Sequence, residues 1–358
     1  MASGRLIRRL AALAAAVALA LPLAACAAGN GSSAEIIALL LPDAKTARYE
    51  TFDRPVFEAR VAELGDYRVT YANADGDAAK QQQQAESALA SGTRVLVLDP
   101  VDSRAAATIV NQANAQGVPV IAYDRMIEGG RLAYYVSFDN EKVGTLQAQA
   151  LVAGMDAAGR ADAGILMING SPTDSNAAQF RTGALLILED SGLRILAQYD
   201  TPDWSPDKAQ DWAEGQVTRF GDDIGGVYAA NDGVAGGAIS ALKAADVSPW
   251  PIVTGQDAEL AAIQRIVSGD QYMTVYKALT QQAQRAAEVA VALLRGEEVT
   301  ASMEVDGTPA TLLDPVAVTV GDILDTVVAD GFWTVDDICT AAYEAACRQA
   351  GLLPAATG

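Results

Sequence analysis

From residue 35 onward, short apolar runs alternate along the chain with amphipathic stretches of helical period. A strand that is covered on both faces is apolar throughout, so the runs predict buried parallel strands. The first strands lie at residues 36–41, 69–71, 95–98 and 118–122. The helices predicted between them lie at residues 52–64, 78–91 and 103–116. Strands and helices that alternate in this way predict a doubly wound α/β sheet.

The same alternation recurs further along the chain. The second group of strands lies at residues 164–169, 193–199, 225–230 and 252–255, and the second group of helices at 141–153, 176–190, 207–218 and 234–244. A helix, a strand, a long helix and a last strand then follow at residues 258–268, 271–276, 279–295 and 316–320. We expect two α/β lobes that share these last pieces, so that the crossovers between the lobes form a hinge. The length of 358 residues agrees with two domains.

The first 25 residues have the pattern of an export signal. Arg5, Arg8 and Arg9 precede an apolar run at residues 10–23, and the run ends in small residues. A transmembrane helix needs about 20 apolar residues, so this run is too short for a membrane anchor. We therefore expect residues 1–25 to be a signal peptide and the protein to be exported.

Cys26 follows directly on this signal. The residues Leu23-Ala24-Ala25-Cys26 resemble the lipobox of bacterial lipoproteins, in which the cysteine becomes the lipidated first residue. An ordinary cleavage site that happens to end in a cysteine is the alternative. Residues 26–34 are rich in Ala, Gly and Ser and are typical of a flexible tether. We expect a protein anchored by lipid to the cell membrane and facing outside, or free in the periplasm.

The charge and the residues that are absent exclude several classes of function. The net charge of -20 becomes -23 when the three arginines of residues 1–25 are removed, and so acidic a surface repels nucleic acid. The chain contains no histidine, which argues against zinc and against histidine-based catalysis. We expect neither a metal nor an organic cofactor. Outside the cytoplasm, the remaining pair Cys339 and Cys347 predicts a disulfide.

Polar and aromatic side chains follow nearly every predicted strand, at the edge where open α/β sheets bind ligands. The candidates in chain order are Arg48, Tyr49, Asp124, Arg125, Asp174, Asn176, Trp204, Asn231, Asp257 and Lys277. A sugar needs this mixture, because carboxylates, amides and cations satisfy its hydroxyls while aromatic rings cover its apolar C–H faces. The set as a whole predicts a sugar site.

Each position has an ordinary alternative when it is taken alone. Asp232 precedes Gly233 and a helix, so we interpret it as a helix N-cap. Asp124-Arg125 could be a solvated pair in a surface turn. Trp204 could be a core residue and Lys277 a solvated lysine.

Several segments resemble the periplasmic sugar-binding proteins of the xylose-binding type, within the ribose/galactose-binding superfamily. The resemblance covers nearly the whole mature chain and is strongest at residues 122–127, 137–144, 170–176, 231–239, 255–258 and 273–277. It implies a type I periplasmic binding protein fold: two Rossmann-like lobes joined by three crossovers, with an aldose in the cleft. The implied crossovers lie near residues 136–138, 255–258 and 312–315. The first lobe would comprise residues 35–136 with 258–312, and the second residues 137–257 with 313–358.

The resemblance also assigns roles to the candidate residues. It implies that the charged and amide side chains contact sugar hydroxyls and the ring oxygen, and that Trp204 stacks on the sugar. Tyr49 stands where relatives often have Trp and would be a second, smaller platform. The tail beyond Val335 is longer than in relatives, and we expect it to be a disulfide-pinned helix on the second lobe.

These observations predict a monomeric solute-binding lipoprotein that captures a monosaccharide, D-xylose first, and delivers it to the permease subunits of an ABC importer. A glycoside hydrolase that uses Asp124, Asp174 or Asp257 is the enzymatic alternative, although a cationic or amide neighbour favours the ionised form of each. The sensor module of a repressor is a second alternative. The export signal and the acidic charge argue against it. Signalling by the loaded form to a chemoreceptor would be compatible with transport.

Overall fold

The structure is a computed structural model that describes residues 34–354 of the chain. The predictions of a signal peptide and of lipidation at Cys26 fall on residues that lie outside this range. Within the described range, no helix combines the length and the apolar character needed to cross a membrane.

The described chain alternates strands and helices, as the sequence predicts. The strands are β1 (Glu35–Leu41), β2 (Tyr67–Asn73), β3 (Thr93–Leu98), β4 (Val120–Tyr123), β5 (Tyr134–Phe138), β6 (Gly164–Asn169), β7 (Arg194–Asp200), β8 (Ile224–Ala229), β9 (Ile252–Val253), β10 (Met273–Tyr276), β11 (Met303–Val305), β12 (Thr308–Leu313) and β13 (Val316–Thr319). The helices are α1 (Arg54–Leu64), α2 (Ala78–Ala90), α3 (Ala107–Ala115), α4 (Asn140–Ala157), α5 (Ser175–Ser191), α6 (Pro206–Phe220), α7 (Asp232–Ala244), α8 (Leu260–Ser268), α9 (Leu279–Arg295), α10 (Val335–Ile338) and α11 (Glu344–Gln349).

The first sheet has the strand order β11-β12-β5-β4-β3-β1-β2 and is parallel except for the β11–β12 pair. Strand β1, next to the edge strand β2, is buried on both faces. Ile37, Leu39 and Leu41 pack in one apolar core with side chains of α1 and α9, while Ala38 and Leu40 pack in another with α2 and α3. Because both faces are covered by helices, β1 is continuously apolar, and the sequence could reveal it.

The second sheet has the strand order β7-β6-β8-β9 and is parallel. Side chains of α4, α5, α6 and α7 complete its core. The predicted fold class is therefore confirmed: the chain is an α/β protein with two doubly wound lobes.

The position of β10 corrects one predicted lobe boundary. Residues 258–312 were all expected in the first lobe, but Met273 and Val275 of β10 pack in the core of the second. Thr254, just after β9, also forms a bridge with Met273, and β10 pairs with β13. The chain therefore crosses to the first lobe between Tyr276 and Leu279, where α9 begins, and not near residues 255–258.

The chain passes between the lobes at two other points. One falls between β5 of the first sheet and α4, which packs in the second core. The other falls between β12 of the first sheet and β13, the partner of β10.

The C-terminal tail contains the predicted disulfide. Cys339 and Cys347 are joined, with their Cα atoms 5.8 Å apart. The tail forms the two short helices α10 and α11 rather than the single helix expected, and both contact α8. Cys347 is fully buried in an apolar cluster with Ile263 and Ile266 of α8. The tail thus packs against α8 in an apolar cluster that is separate from the core cluster of the second lobe.

Candidate functional site

A cavity lies between the two lobes, at the carboxyl ends of the strands. It encloses about 280 Å³ of space, part of it open to solvent. All ten candidate residues line it, together with three that the sequence analysis did not select. The lining residues are Thr46, Arg48, Tyr49, Asp124, Arg125, Asp174, Asn176, Phe180, Trp204, Asn231, Gln256, Asp257 and Lys277. The rule that open α/β sheets bind ligands at these strand ends locates the cavity correctly.

Arg48 organises the first-lobe wall of the cavity. Its guanidinium donates to both carboxylate oxygens of Asp53, at 2.8 and 2.9 Å, and its Nη1 donates to Oδ1 of Asp124 at 2.8 Å. Gln282 of α9 also donates to Asp124 Oδ1, at 3.1 Å. These bonds fix the Asp124 carboxylate while its Oδ2 faces the second lobe.

The surroundings of Asp124 keep it ionised. Burial alone would raise the pKa of this carboxyl group, but Arg48, Lys277 and Arg125 together hold the pKa well below its usual range. Asp124 and Arg125 are only 4% and 5% exposed, so the alternative of a solvated surface turn is wrong. Asp124 is therefore a buried anion that can accept hydrogen bonds from a ligand.

Arg125 connects the two lobes across the cavity. Its Nε lies 2.8 Å from Oδ2 of Asp174, a residue of the second lobe. Its Nη2 donates to the hydroxyl of Tyr49 at 3.1 Å, and its Nη1 donates to the backbone oxygen of Pro100 at 3.0 Å. Asn176 adds a second link, because its Nδ2 donates to Asp124 Oδ2 at 3.3 Å. In this conformation the lobes are joined through candidate site residues.

Asp174 also positions Trp204. Asp174 caps α5 by accepting from the backbone N–H of Asn176 at 2.8 Å, and its Oδ2 accepts from the indole Nε1 of Trp204 at 2.9 Å. Phe180, one turn after Asn176 on α5, meets the indole edge-on with ring centroids 6.4 Å apart. Trp204 belongs to the core cluster and also lines the cavity. The core interpretation is therefore confirmed, and its contact with a sugar stays a prediction.

Lys277 and Asp257 form a buried ion pair on the second-lobe side, with Nζ 2.8 Å from Oδ1. Lys277 is 2% exposed, which excludes the alternative of a solvated lysine. Its Nζ also lies 5.5 Å from the ring of Phe138 and 5.7 Å from that of Phe180. The pair carries no net charge and presents both a donor and an acceptor to the cavity.

The helix cap is Asn231 and not Asp232. The side-chain oxygen of Asn231 accepts from the backbone N–H of Val234 at 2.8 Å. Asp232 is the first residue of α7, is fully buried, and accepts instead from Gln271, from Thr274 and from the backbone of Glu259. Since the cap uses the oxygen of Asn231, its Nδ2 is the atom that a ligand could use.

Two site carboxylates sit on backbone that favours glycine. Asp124 has a φ of 60° and Asp257 a φ of 100°. Such conformations are unfavourable for residues with a side chain and cluster at functional sites. Both residues line the cavity, Asp124 directly after β4 and Asp257 four positions after the end of β9.

Of the three residues that sequence reasoning missed, Phe180 had a readable signal. It lies four positions after Asn176 on a predicted helix, which places both on one helix face. Gln256 adjoins the selected Asp257, and Thr46 lies two positions before the selected Arg48. In both cases the charged side chain nearby carries the stronger signal in the sequence.

The carboxylates are poorly arranged for glycoside hydrolysis. A hydrolase needs one free carboxylate and one free carboxylic acid flanking the scissile bond. Burial raises the pKa of Asp174 even though Arg125 opposes the shift, so the expectation that its neighbours prevent a raised pKa fails there. Both of its oxygens nevertheless accept from protein donors, and Asp124 and Asp257 each contact a cation.

Residues 37–298 match the family described as periplasmic binding protein domain. The D-xylose-binding periplasmic proteins of Haemophilus influenzae and Escherichia coli are both 38% identical to the chain. The first alignment covers 84% of this chain and 91% of the relative, and the second covers 83% and 90%. The structure also superimposes on an ABC transporter solute binding protein from Clostridium phytofermentans that was solved with β-D-glucose, with a TM-score of 0.78 and 27% identity. The superposition covers 85% of this chain and all of that one.

These relatives are binding proteins and not enzymes, in agreement with the arrangement of the carboxylates. The match to the family spans well over half of the chain, and the identity to two of its relatives extends over most of their length. The chain belongs to the periplasmic binding protein family.

Proposed function

We propose that the protein captures a monosaccharide outside the cytoplasm and delivers it to an ABC importer, with D-xylose as the preferred aldopyranose. The observation that carries this proposal is the composition of the cavity. Ionised and amide groups from both lobes line it together with Trp204 and Phe180. The names of the most similar relatives support the choice of D-xylose.

The proposed contacts follow from the chemistry of a sugar. Asp124 and Asp257 accept from hydroxyls, whereas Arg48, Arg125, Lys277 and the amides of Asn176 and Asn231 donate to hydroxyl oxygens and the ring oxygen. Trp204 covers one apolar face of the sugar. Tyr49 is the proposed second platform, although the guanidinium of Arg48 lies 5.3 Å from its ring centroid and covers part of it.

The distribution of these groups over both lobes also suggests how sugar binding is coupled to closure of the lobes. Arg48, Tyr49, Asp124 and Arg125 stand on the first lobe, and the other candidates on the second. A sugar that contacts both sets favours the closed form, because the open form satisfies only one set at a time. We propose that the protein is a monomer and that the permease subunits recognise this closed form.

We further propose that the exported protein is anchored through lipid on Cys26. The support is the sequence Leu23-Ala24-Ala25-Cys26 and the tether that follows. The intact mass of protein taken from the membrane fraction tests it. A mass that corresponds to a chain beginning at lipidated Cys26 is expected, and a free Cys26 or a start beyond it would contradict the proposal.

Calorimetric titration with D-xylose, D-glucose, L-arabinose and D-galactose tests the proposed ligand class. We expect saturable heat with at least one of them and the tightest binding for D-xylose. Absence of heat with a wider panel of pentoses and hexoses would refute the assignment. Incubation with an aryl glycoside distinguishes a binding protein from a glycoside hydrolase, since a binding protein releases no phenol.

A further inference from the structure

Gln256 is a neutral residue of the cavity whose side-chain acceptor has no hydrogen-bond partner among the described residues. It follows β9, is 2% exposed and lines the cavity. Its backbone oxygen accepts from the backbone N–H of Asp232 at 3.0 Å, which fixes the main chain at this point. Its side-chain Oε1 is buried and has no hydrogen-bond partner among the residues that the structure describes.

An acceptor that is buried without a donor destabilises the folded protein. Gln282, the other glutamine near the site, is saturated: its Oε1 accepts from Arg48 and its Nε2 donates to Asp124. Arg125 Nε and Asp257 Oδ1 in the cavity wall also lack a partner of hydrogen-bond geometry, but each lies 2.8 Å from an oppositely charged group. Gln256 Oε1 is a neutral acceptor, and a donor that enters the cavity can satisfy it. A sugar hydroxyl is such a donor.

The backbone at Asp257 places Gln256 and Asp257 in the same cavity. In a regular strand, successive side chains point to opposite faces. Asp257 has a φ of 100°, which breaks this alternation, and both side chains line the cavity. Two consecutive side chains on one wall can reach two adjacent hydroxyls of a pyranose ring.

We infer that Gln256 is a further specificity-determining residue, which accepts from the hydroxyl next to the one held by Asp257 and Lys277. The inference rests on the proposed function, since it requires a sugar in the cavity. Gln256 would thus be an eleventh contact residue, and it would favour sugars that carry this hydroxyl over sugars that lack it. A neutral acceptor suits this task because its loss affects one hydroxyl and leaves the charge of the site unchanged.

The test combines the variant Gln256→Leu with monodeoxy ligands. The wild type and the variant are each titrated with D-xylose, its 2-, 3- and 4-deoxy analogues and 1,5-anhydroxylitol. Each analogue lacks one hydroxyl, so its affinities for the two proteins form a double-mutant cycle with those of D-xylose. We expect the variant to bind D-xylose about tenfold more weakly. For one of the analogues, the wild type and the variant should bind equally.

Gln147→Leu is the matched control. Gln147 is also fully buried with an unpartnered Oε1, but it lies on α4 and does not line the cavity. Its replacement should lower thermal stability and leave the affinity for D-xylose unchanged. Gln256→Met, which keeps the length of the side chain, replaces Gln256→Leu if the latter unfolds.

Equal weakening of all five ligands, or of none, would overturn the role of Gln256. If the wild type binds no aldose, the proposed function fails and this inference fails with it. The two failures are distinguishable, because the first appears in the wild-type titration and the second only in the comparison with the variant.

Discussion

The carboxylate of Asp174 accepts a hydrogen bond from the indole of Trp204 at 2.9 Å and lies 2.8 Å from the guanidinium of Arg125. One side chain thus orients the proposed stacking platform of the second lobe and the cation of the first. We expect Asp174→Ala to weaken D-xylose binding at least about 30-fold, because removal of a buried charged partner typically costs about 2–5 kcal/mol. Calorimetric titration measures the change.

Asp77→Ala is the control for this substitution. Asp77 caps α2 by accepting from the backbone N–H groups of Ala79 and Lys80, but it is exposed and lies outside the cavity. Its loss should lower stability by about 1 kcal/mol without changing affinity. Equal affinities of Asp174→Ala and Asp77→Ala would mean that Asp174 acts only as a helix cap.

Gly170 leaves the space that Trp204 occupies. A Cβ atom at Gly170 would lie 2.0 Å from the indole ring, so Gly170→Ala must displace the ring. We expect this substitution to weaken sugar binding about tenfold or more through lost stacking, as measured by calorimetry.

Gly215→Ala, within α6, is the control, because the added Cβ meets no atom within 4 Å. This control should bind normally and gain up to about 1 kcal/mol of stability.

The buried pair Asp257–Lys277 should matter for binding far more than an exposed pair of the same kind. Asp257→Ala leaves Lys277 buried without its partner, and we expect at least about 30-fold weaker binding of D-xylose. Asp270→Ala breaks the Lys243–Asp270 pair, which is also short at 2.7 Å but partly exposed. Exposed pairs contribute about 1 kcal/mol or less, so this variant should bind normally. Normal binding by Asp257→Ala would remove Asp257 from the site.

Burial raises the pKa of Asp232 to about 7. The negative charge of Asp257 adds to this rise, whereas Arg265 and the hydrogen bonds from Gln271 and Thr274 oppose it. A carboxyl group with a raised pKa stabilises the fold fully below about pH 4 and loses this contribution as the pH rises through about 7. The free energy of unfolding of the wild type should therefore fall relative to that of Asp232→Asn between pH 5 and pH 8.

The slope of this difference should approach about 1.4 kcal/mol per pH unit at most. Urea unfolding at pH 5, 6, 7 and 8 measures it. A difference between the two proteins that stays constant with pH would show that Asp232 does not titrate in this range.

The disulfide closes a short loop at the end of the chain. In the chain-entropy model a loop of this length stabilises by roughly 2–3 kcal/mol. Replacing both Cys339 and Cys347 by serine should lower the free energy of unfolding by about this amount, and D-xylose binding should persist because neither residue lines the cavity. Loss of binding in a variant that remains folded would connect the tail to the site.

The sequence revealed those parts of the fold that depend on local pattern. Buried strands such as β1 are continuously apolar, and the candidate site follows from the strand ends. The β11–β12 hairpin was missed, although Asp306-Gly307, both with positive φ, carries the signal of a tight turn. The apolar alternation around this turn is short, because β11 has only three residues.

The errors concern choices that the local sequence does not encode. A four-residue strand such as β10 carries no local signal for the lobe it joins. Its packing in the second core and the bridge between Thr254 and Met273 decide this. Asn231 and Asp232 are both good helix caps, so only the backbone could show that Asn231 takes this role. The unpartnered amide of Gln256 is a property of packing, which no pattern of residue types displays.

A crystal structure of the protein with D-xylose tests the central claim most directly. The expected result is one pyranose in the cavity between the lobes, with Trp204 against one face and hydrogen bonds from Asp124 of the first lobe and Asp257 of the second. A sugar bound outside this cavity, or held by side chains of one lobe only, would contradict the account.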